Sequence, residues 1–252
     1  MLGKILQVSG LRKYFGGVKA VDGVSFTMDE GERLFIVGPN GAGKTTLVNL
    51  ISGYIMPDSG TIMFDGRDVT RLSLASRVGV GIARSFQLVN VFWGLTVLEN
   101  LSIAVASRLK VNTNMFKSLE SYKAVLEEAL ELAELSGLTE VLDKRPSEIS
   151  QGDRKLLDIA ITLALKPKLV MLDEPTSGVS TREKFEVMDR VLKTLHRFGA
   201  SSIIVEHDME VVKKYSNRVL VMHEGKIIGD GAPSDILSKE DVRRILLGEA
   251  YA

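Results

Sequence analysis

The stretch LFIVGPNGAGKTTLVNLISG, residues 34–53, limits the possible folds of this chain more than any other feature. An apolar strand runs into Gly38, four residues separate it from Gly43, and a helix opens at once on Lys44-Thr45. That strand–loop–helix order is the phosphate-loop pattern in its required context, and it predicts an α/β core. The glycines let backbone N–H groups converge on phosphate oxygens, and the helix N-terminus adds its partial positive charge. Gly38, Pro39, Asn40, Gly41, Ala42, Gly43, Lys44, Thr45 and Thr46 are therefore expected to cradle a nucleoside triphosphate. Lys44 is expected to reach the β- and γ-phosphates and the Thr45 hydroxyl to bind Mg²⁺.

Short β-type runs recur at residues 5–8, 34–38, 61–64, 169–172, 202–205 and 219–222. Helical stretches separate the later runs, which predicts a mostly parallel sheet flanked by helices. The early runs are divided by Gly16-Gly17 and Asp58-Ser59-Gly60, turn signals that favour antiparallel pairing. Between about Leu95 and Leu135 the pattern is helical, with Tyr122, Leu126, Ala129, Leu130 and Ala133 on one face and Gly137 as the C-cap. Residues 88–155 are expected to form a helical subdomain inserted between core segments 1–87 and 156–252 of a single domain. The tail is expected to add short helices on the outside.

The rest of the chemistry lies downstream. LVMLDE, residues 169–174, is a buried strand ending in two carboxylates. Asp173, at its tip, is expected to hold the metal directly or through water, and Glu174 to polarise an attacking water. His207 follows SSIIVE at the carboxyl edge of the sheet, where ligands of open α/β sheets gather. It is either a hydrogen-bond partner of the γ-phosphate or a solvated loop histidine. Gln87 stands where the core gives way to the insert, and by itself reads as a surface glutamine. Ser150, three residues before Asp153, fits a capping box at the mouth of a long apolar helix.

Taken in order, residues 38–45, Gln87, the Ser150 turn, Asp173-Glu174 and His207 resemble the nucleotide-binding subunit of ABC transporters over nearly the whole chain. The resemblance implies the ABC ATPase fold, a P-loop NTPase with a mostly parallel core sheet, an N-terminal antiparallel β subdomain and an inserted helical subdomain. It implies ATP and Mg²⁺ as cofactors, with Gln87 joining Thr45 and Asp173 near the metal, and Gln87 and His207 joining Glu174 in catalysis. It gives Phe15 the adenine, with Tyr14 as fallback. The turn Ile149-Ser150-Gln151-Gly152-Asp153 stands where the family usually has Leu-Ser-Gly-Gly-Gln, so Ser150 and Gly152 are expected to close on ATP held by a second subunit. KYFGGVKAVDGVSF, GIARSFQLVNVFWGLTVLENL and VEHDM look like the branched-chain amino-acid importer branch. The chain departs from the family at Gln151 and Asp153, and at Val179-Ser180, where Leu-Asp is common.

The resemblance thus implies an ATPase subunit, paired with a copy or a sister, that powers solute import through membrane permeases from the cytoplasmic face of the inner or plasma membrane. A soluble ABC ATPase in a non-transport complex and an importer of urea or other amides are the alternatives. A GTP-dependent switch would need an Asn-Lys-x-Asp segment, which the sequence lacks. Lys+Arg and Asp+Glu are both 32, so no bulk positive field draws the chain to nucleic acid or an anionic bilayer. Apolar runs fall far short of the ~20 residues needed to cross a membrane, so direct insertion is not expected. With no cysteine there is neither a disulfide framework nor a thiolate zinc site.

Overall fold

Two sheets organise the computed structural model, which describes residues 3–85, 91–111 and 122–247. The first is antiparallel. Strands β1 (Lys4–Phe15) and β2 (Val18–Asp29) form a hairpin around Gly16-Gly17, where Gly16 takes φ 58°. The second sheet begins with β3 (Arg33–Val37), the strand that feeds the phosphate loop and α1 (Lys44–Ser52). The chain then returns to the first sheet as β4 (Ser59–Phe64), antiparallel to β1, and the short β5 (Arg67–Asp68). Asp58-Ser59-Gly60 is the entry to β4 rather than a hairpin turn. The Asp58 carboxylate fixes that entry by accepting from Lys13 Nζ and the Tyr14 N–H, both at 2.7 Å.

After α2 (Leu74–Gly79) and β6 (Ile82–Arg84) come three longer helices, α3 (Val97–Arg108), α4 (Lys123–Ser136) and α5 (Gln151–Ala164). The order then alternates: β7 (Leu169–Asp173), α6 (Glu183–Phe198), β8 (Ser201–Val205), α7 (Met209–Tyr215) and β9 (Arg218–His223). Finally β10 (Lys226–Gly231) closes the sheet, and α8 (Pro233–Leu237) and α9 (Glu240–Leu247) follow. The strand order is β10-β9-β3-β8-β7-β6, parallel from β9 to β6 with β10 antiparallel at one edge. β8 thus lies between the phosphate-loop strand and the strand carrying the carboxylates, so the carboxyl ends of β3, β8 and β7 meet along one edge.

Alternation along these strands sorts two cores. Leu34, Ile36, Leu169, Met171, Ile203 and Val205 face α1 and the antiparallel sheet. Phe35, Val37, Val170, Leu172 and Ile204 face the other way, into a cluster built with α3, α4, α5 and α6. α3 starts on a complete capping box, in which Thr96 Oγ1 accepts the Glu99 N–H at 3.2 Å and Glu99 Oε2 accepts the Thr96 N–H at 2.7 Å. α4 ends on Gly137 at φ 70°, as expected, but its buried face is Val125, Ala129, Leu132 and Ala133. Leu130 is exposed and Tyr122 precedes the helix, so the apolar stripe is rotated from the expected one, and α3, α5 and α6 enclose it.

A buried arginine anchors α1. The Arg77 guanidinium, wholly shielded from solvent, donates to the carbonyls of Leu50 (2.6 Å), Ile51 (2.7 Å), Thr70 (2.9 Å) and Leu72 (3.1 Å). It satisfies the orphaned carbonyls of the last turn and places positive charge at the negative end of the helix dipole. Burial pushes its pKa down to about 10, which still leaves it charged at neutral pH.

Candidate functional site

The phosphate loop keeps its shape because two glycines permit close backbone contacts. At Gly38 (φ 154°) a Cβ would stand 2.2 Å from the Met222 carbonyl oxygen, and at Gly43 (φ 99°) 2.1 Å from that of Ala20. The loop is thus pressed between β9 and β2. Gly43 precedes α1 without any side-chain cap, and the first turn of α1 carries no acidic residue, so its N–H groups remain available to an anion. Lys44 is buried and folds back on the loop, donating to the carbonyls of Gly38 (2.7 Å) and Pro39 (2.9 Å). Burial lowers its pKa, and the Glu174 and Asp173 carboxylates act against that shift.

The loop forms one wall of a cavity of 740 Å³ lined by residues 17–20, 40–46, Glu174 and His207, with Asp22, Glu224 and Lys226 completing it. Asp22 fastens the hairpin to the rest of the site: its N–H donates to the Gly225 carbonyl at 2.8 Å, and the Gly225 N–H in turn donates to the Ala42 carbonyl at 3.0 Å. Its carboxylate accepts from the Tyr14 hydroxyl at 2.6 Å, which together with the charges of Lys19, Lys226 and Arg12 lowers its pKa against the opposing effect of desolvation. Tyr14 is therefore already engaged. The Phe15 ring is 51% exposed, with Lys13 Nζ 5.6 Å above it, and the lining at this end comes from Gly17 to Ala20 instead.

The carboxylates stand where the strand order brings them. Asp173, buried at the tip of β7, accepts from Arg84 Nη2 at 2.8 Å through Oδ2, while Arg84 Nη1 donates to Asn49 of α1. Glu174 leaves the strand at φ 50°, a left-handed conformation unusual for a side chain of this size. Its Oε1 lies 3.0 Å from His207 Nε2. The structure thus brings His207 to Glu174 at the phosphate-loop cavity. Gln87 lies outside the described residues.

Sequence reasoning missed three residues that hold Asp173, Glu174 and His207 in place. Arg84 ends the apolar β6 at the same edge of the sheet. Glu206, 3% exposed, accepts from Thr176 N and Oγ1 (3.2 and 2.8 Å) and from the His207 N–H (3.2 Å), tying β8 to the loop after β7; burial raises its pKa. Lys155 of α5, also buried, donates to Ser177 Oγ at 3.2 Å and to the Glu174 carbonyl at 3.4 Å. A charged residue inside an otherwise apolar run was the available signal for Arg84 and Glu206.

The Ser150 turn lies elsewhere. It lines a separate cavity of 200 Å³ that shares no residue with the first. Ser150 caps α5, its Oγ accepting the Asp153 N–H at 3.0 Å. The Asp153 carboxylate does not close the box on the Ser150 N–H. It takes the serine hydroxyl itself, at 2.8 Å.

Thr45 and Asp173 suit Mg²⁺, a hard cation held by few protein oxygens alongside phosphates and water. Thr45 is exposed beside the cavity, and only Oδ2 of Asp173 is engaged by Arg84. Among the described residues no cluster of three or more His, Asp or Glu could hold a metal ion.

The ABC transporter family profile matches residues 21–177. The high-affinity branched-chain amino acid transport ATP-binding protein LivG of Salmonella typhimurium is 35% identical over 253 residues, 98% of each chain. Its counterpart BraF of Pseudomonas aeruginosa is 34% identical over 251 residues, again 98% of each. The ADP conformation of MJ1267, described as an ATP-binding cassette of an ABC transporter, superposes with a TM-score of 0.84 at 33% identity, covering 98% of this chain and 99% of the other.

Proposed function

The chain belongs to the ABC transporter family, and from that premise we propose that it is the ATP-hydrolysing subunit of an importer for branched-chain amino acids. One observation carries the hydrolytic part: Glu174 and His207 meet at 3.0 Å in the cavity that also presents the open N-terminus of α1. The cargo follows from relatives that span the chain end to end.

Nucleotide phosphates take the N–H groups of residues 40–46, and Lys44 exchanges the carbonyls of Gly38 and Pro39 for β- and γ-phosphate oxygens. The partly desolvated ammonium gains more from that exchange than a hydrated one would. Thr45 and Asp173 would hold Mg²⁺, which neutralises phosphate charge when bound. Glu174 orients the attacking water and accepts its proton, and His207, whose Nε2 lies against that carboxylate, turns its N–H to the γ-phosphate once ATP is bound. Glu206, fixed by Thr176, sets the backbone of His207.

The separation of the Ser150 turn from the phosphate-loop cavity supports a pocket completed by a second ATP-binding subunit. In that arrangement Ser150 and Gly152 face the partner's nucleotide, the two chains close around ATP, and hydrolysis releases them. The helices α3 and α4 pass the motion to permease subunits. Among the described residues no helix is long and apolar enough to cross a membrane, and the chain works as a peripheral subunit at the cytoplasmic face.

The test is Glu174→Gln. It retains ATP binding, loses at least a hundredfold in hydrolysis rate, as expected for loss of a water-activating group, and elutes as an ATP-held dimer in size exclusion. A variant that remains monomeric at every ATP and Mg²⁺ concentration, whether or not Asp153 is also replaced, contradicts the two-chain pocket.

A further inference from the structure

The Ser150 hydroxyl already spends its one donor within its own chain. Its oxygen accepts the Asp153 N–H at 3.0 Å, and its hydrogen goes to Asp153 Oδ2 at 2.8 Å. Ser180 repeats the construction with Glu183, accepting its N–H at 3.3 Å and donating to Oε2 at 2.6 Å. Asp153, Glu183 and Glu186 line the same 200 Å³ cavity as Ser150 and Gly152, and Arg190 is the only cation among the described residues of that lining. The backbone of the turn is packed at Gly152, which is buried beside Val187 of α6. The Asp153 side chain, half-buried, is the part that can turn.

We infer that Asp153 is a positioning residue that competes with a partner's ATP for the Ser150 hydroxyl, and so sets how much nucleotide the paired pocket needs to close. The inference rests on the two-chain pocket proposed above. A γ-phosphate oxygen arriving at α5 needs the Ser150 O–H as a donor and meets a carboxylate already holding it. The same carboxylate, in the first turn of α5, favours the helix dipole of the lone subunit. One side chain thus stabilises the separate chain and opposes the closed pair.

The opposed signs allow a decisive test. ATP-driven dimerisation is titrated by light scattering in the Glu174→Gln background, with and without Asp153→Asn or Asp153→Ala, alongside the melting temperature of each nucleotide-free chain. Removing the charge lowers the ATP concentration for half-dimerisation about tenfold, while the melting temperature falls or stays level. Dimerisation by Glu174→Gln at an unchanged or higher ATP requirement in the double variants overturns the inference and leaves the paired pocket standing. Association of the double variants alone supports it. Failure of every variant to associate rejects the paired pocket and the inference with it. A merely structural Asp153 would weaken melting temperature and dimerisation together.

Discussion

The N-termini of α1 and α5 are the same object prepared in two ways. α1 begins without a side-chain cap, without an acid in its first turn and with a lysine folded across its mouth. α5 begins with a serine cap whose oxygen takes the Asp153 N–H and whose hydroxyl hydrogen is already given to the Asp153 carboxylate. A helix start attracts phosphate only if its own chain leaves the N–H groups unanswered. The first is therefore a binding site in the lone chain, whereas the second is a closed terminus that a partner's nucleotide must reopen. The surroundings differ in the same sense: α1 sits on a core shared with two sheets and is capped at its far end by Arg77, while the α5 turn lies at an acidic surface.

Three substitutions can break or sharpen that contrast. Lys44→Ala removes the one cation on the α1 phosphate loop and is expected to weaken ATP binding at least a hundredfold, about 3 kcal/mol. A calorimetric titration indistinguishable from the parent's ends the assignment of that loop. Gly43→Ala is expected to cost about 3 kcal/mol of folding stability, because its Cβ would collide with the Ala20 carbonyl in a left-handed backbone. Denaturant unfolding measures this, and a loss below half that value means the loop is freer than its packing implies. Ser150→Ala is expected to cost only about 1 kcal/mol of stability, the ordinary value of a helix cap, and to leave ATP affinity in the lone chain unchanged. A fall in that affinity places the turn in its own chain's pocket.

How much of the molecule was legible in the sequence depended on whether the physics was local. The phosphate loop, Asp173 and Glu174 are read from a strand, a turn and a helix start that follow one another. β2 escaped notice because Asp22-Gly23 interrupts its apolar alternation, and only pairing with β1 across several register shifts keeps it extended. The face of α4 was misplaced because three neighbouring helices, not its own periodicity, decide which side is covered. Arg84, Lys155 and Glu206 act on residues 89, 19 and 30 positions away, distances at which no local pattern operates. The departure at Asp153 was visible, but its orientation was not: a capping box would have turned the carboxylate away from the serine hydroxyl.

β3 serves two interiors with four consecutive side chains. Leu34 and Ile36 belong to one, Phe35 and Val37 to the other, and Gly38 comes immediately after. Inserting or deleting a single residue ahead of Gly38 would trade the furnishings of both rooms at once. Only a change of length by two residues keeps each side chain in its own interior.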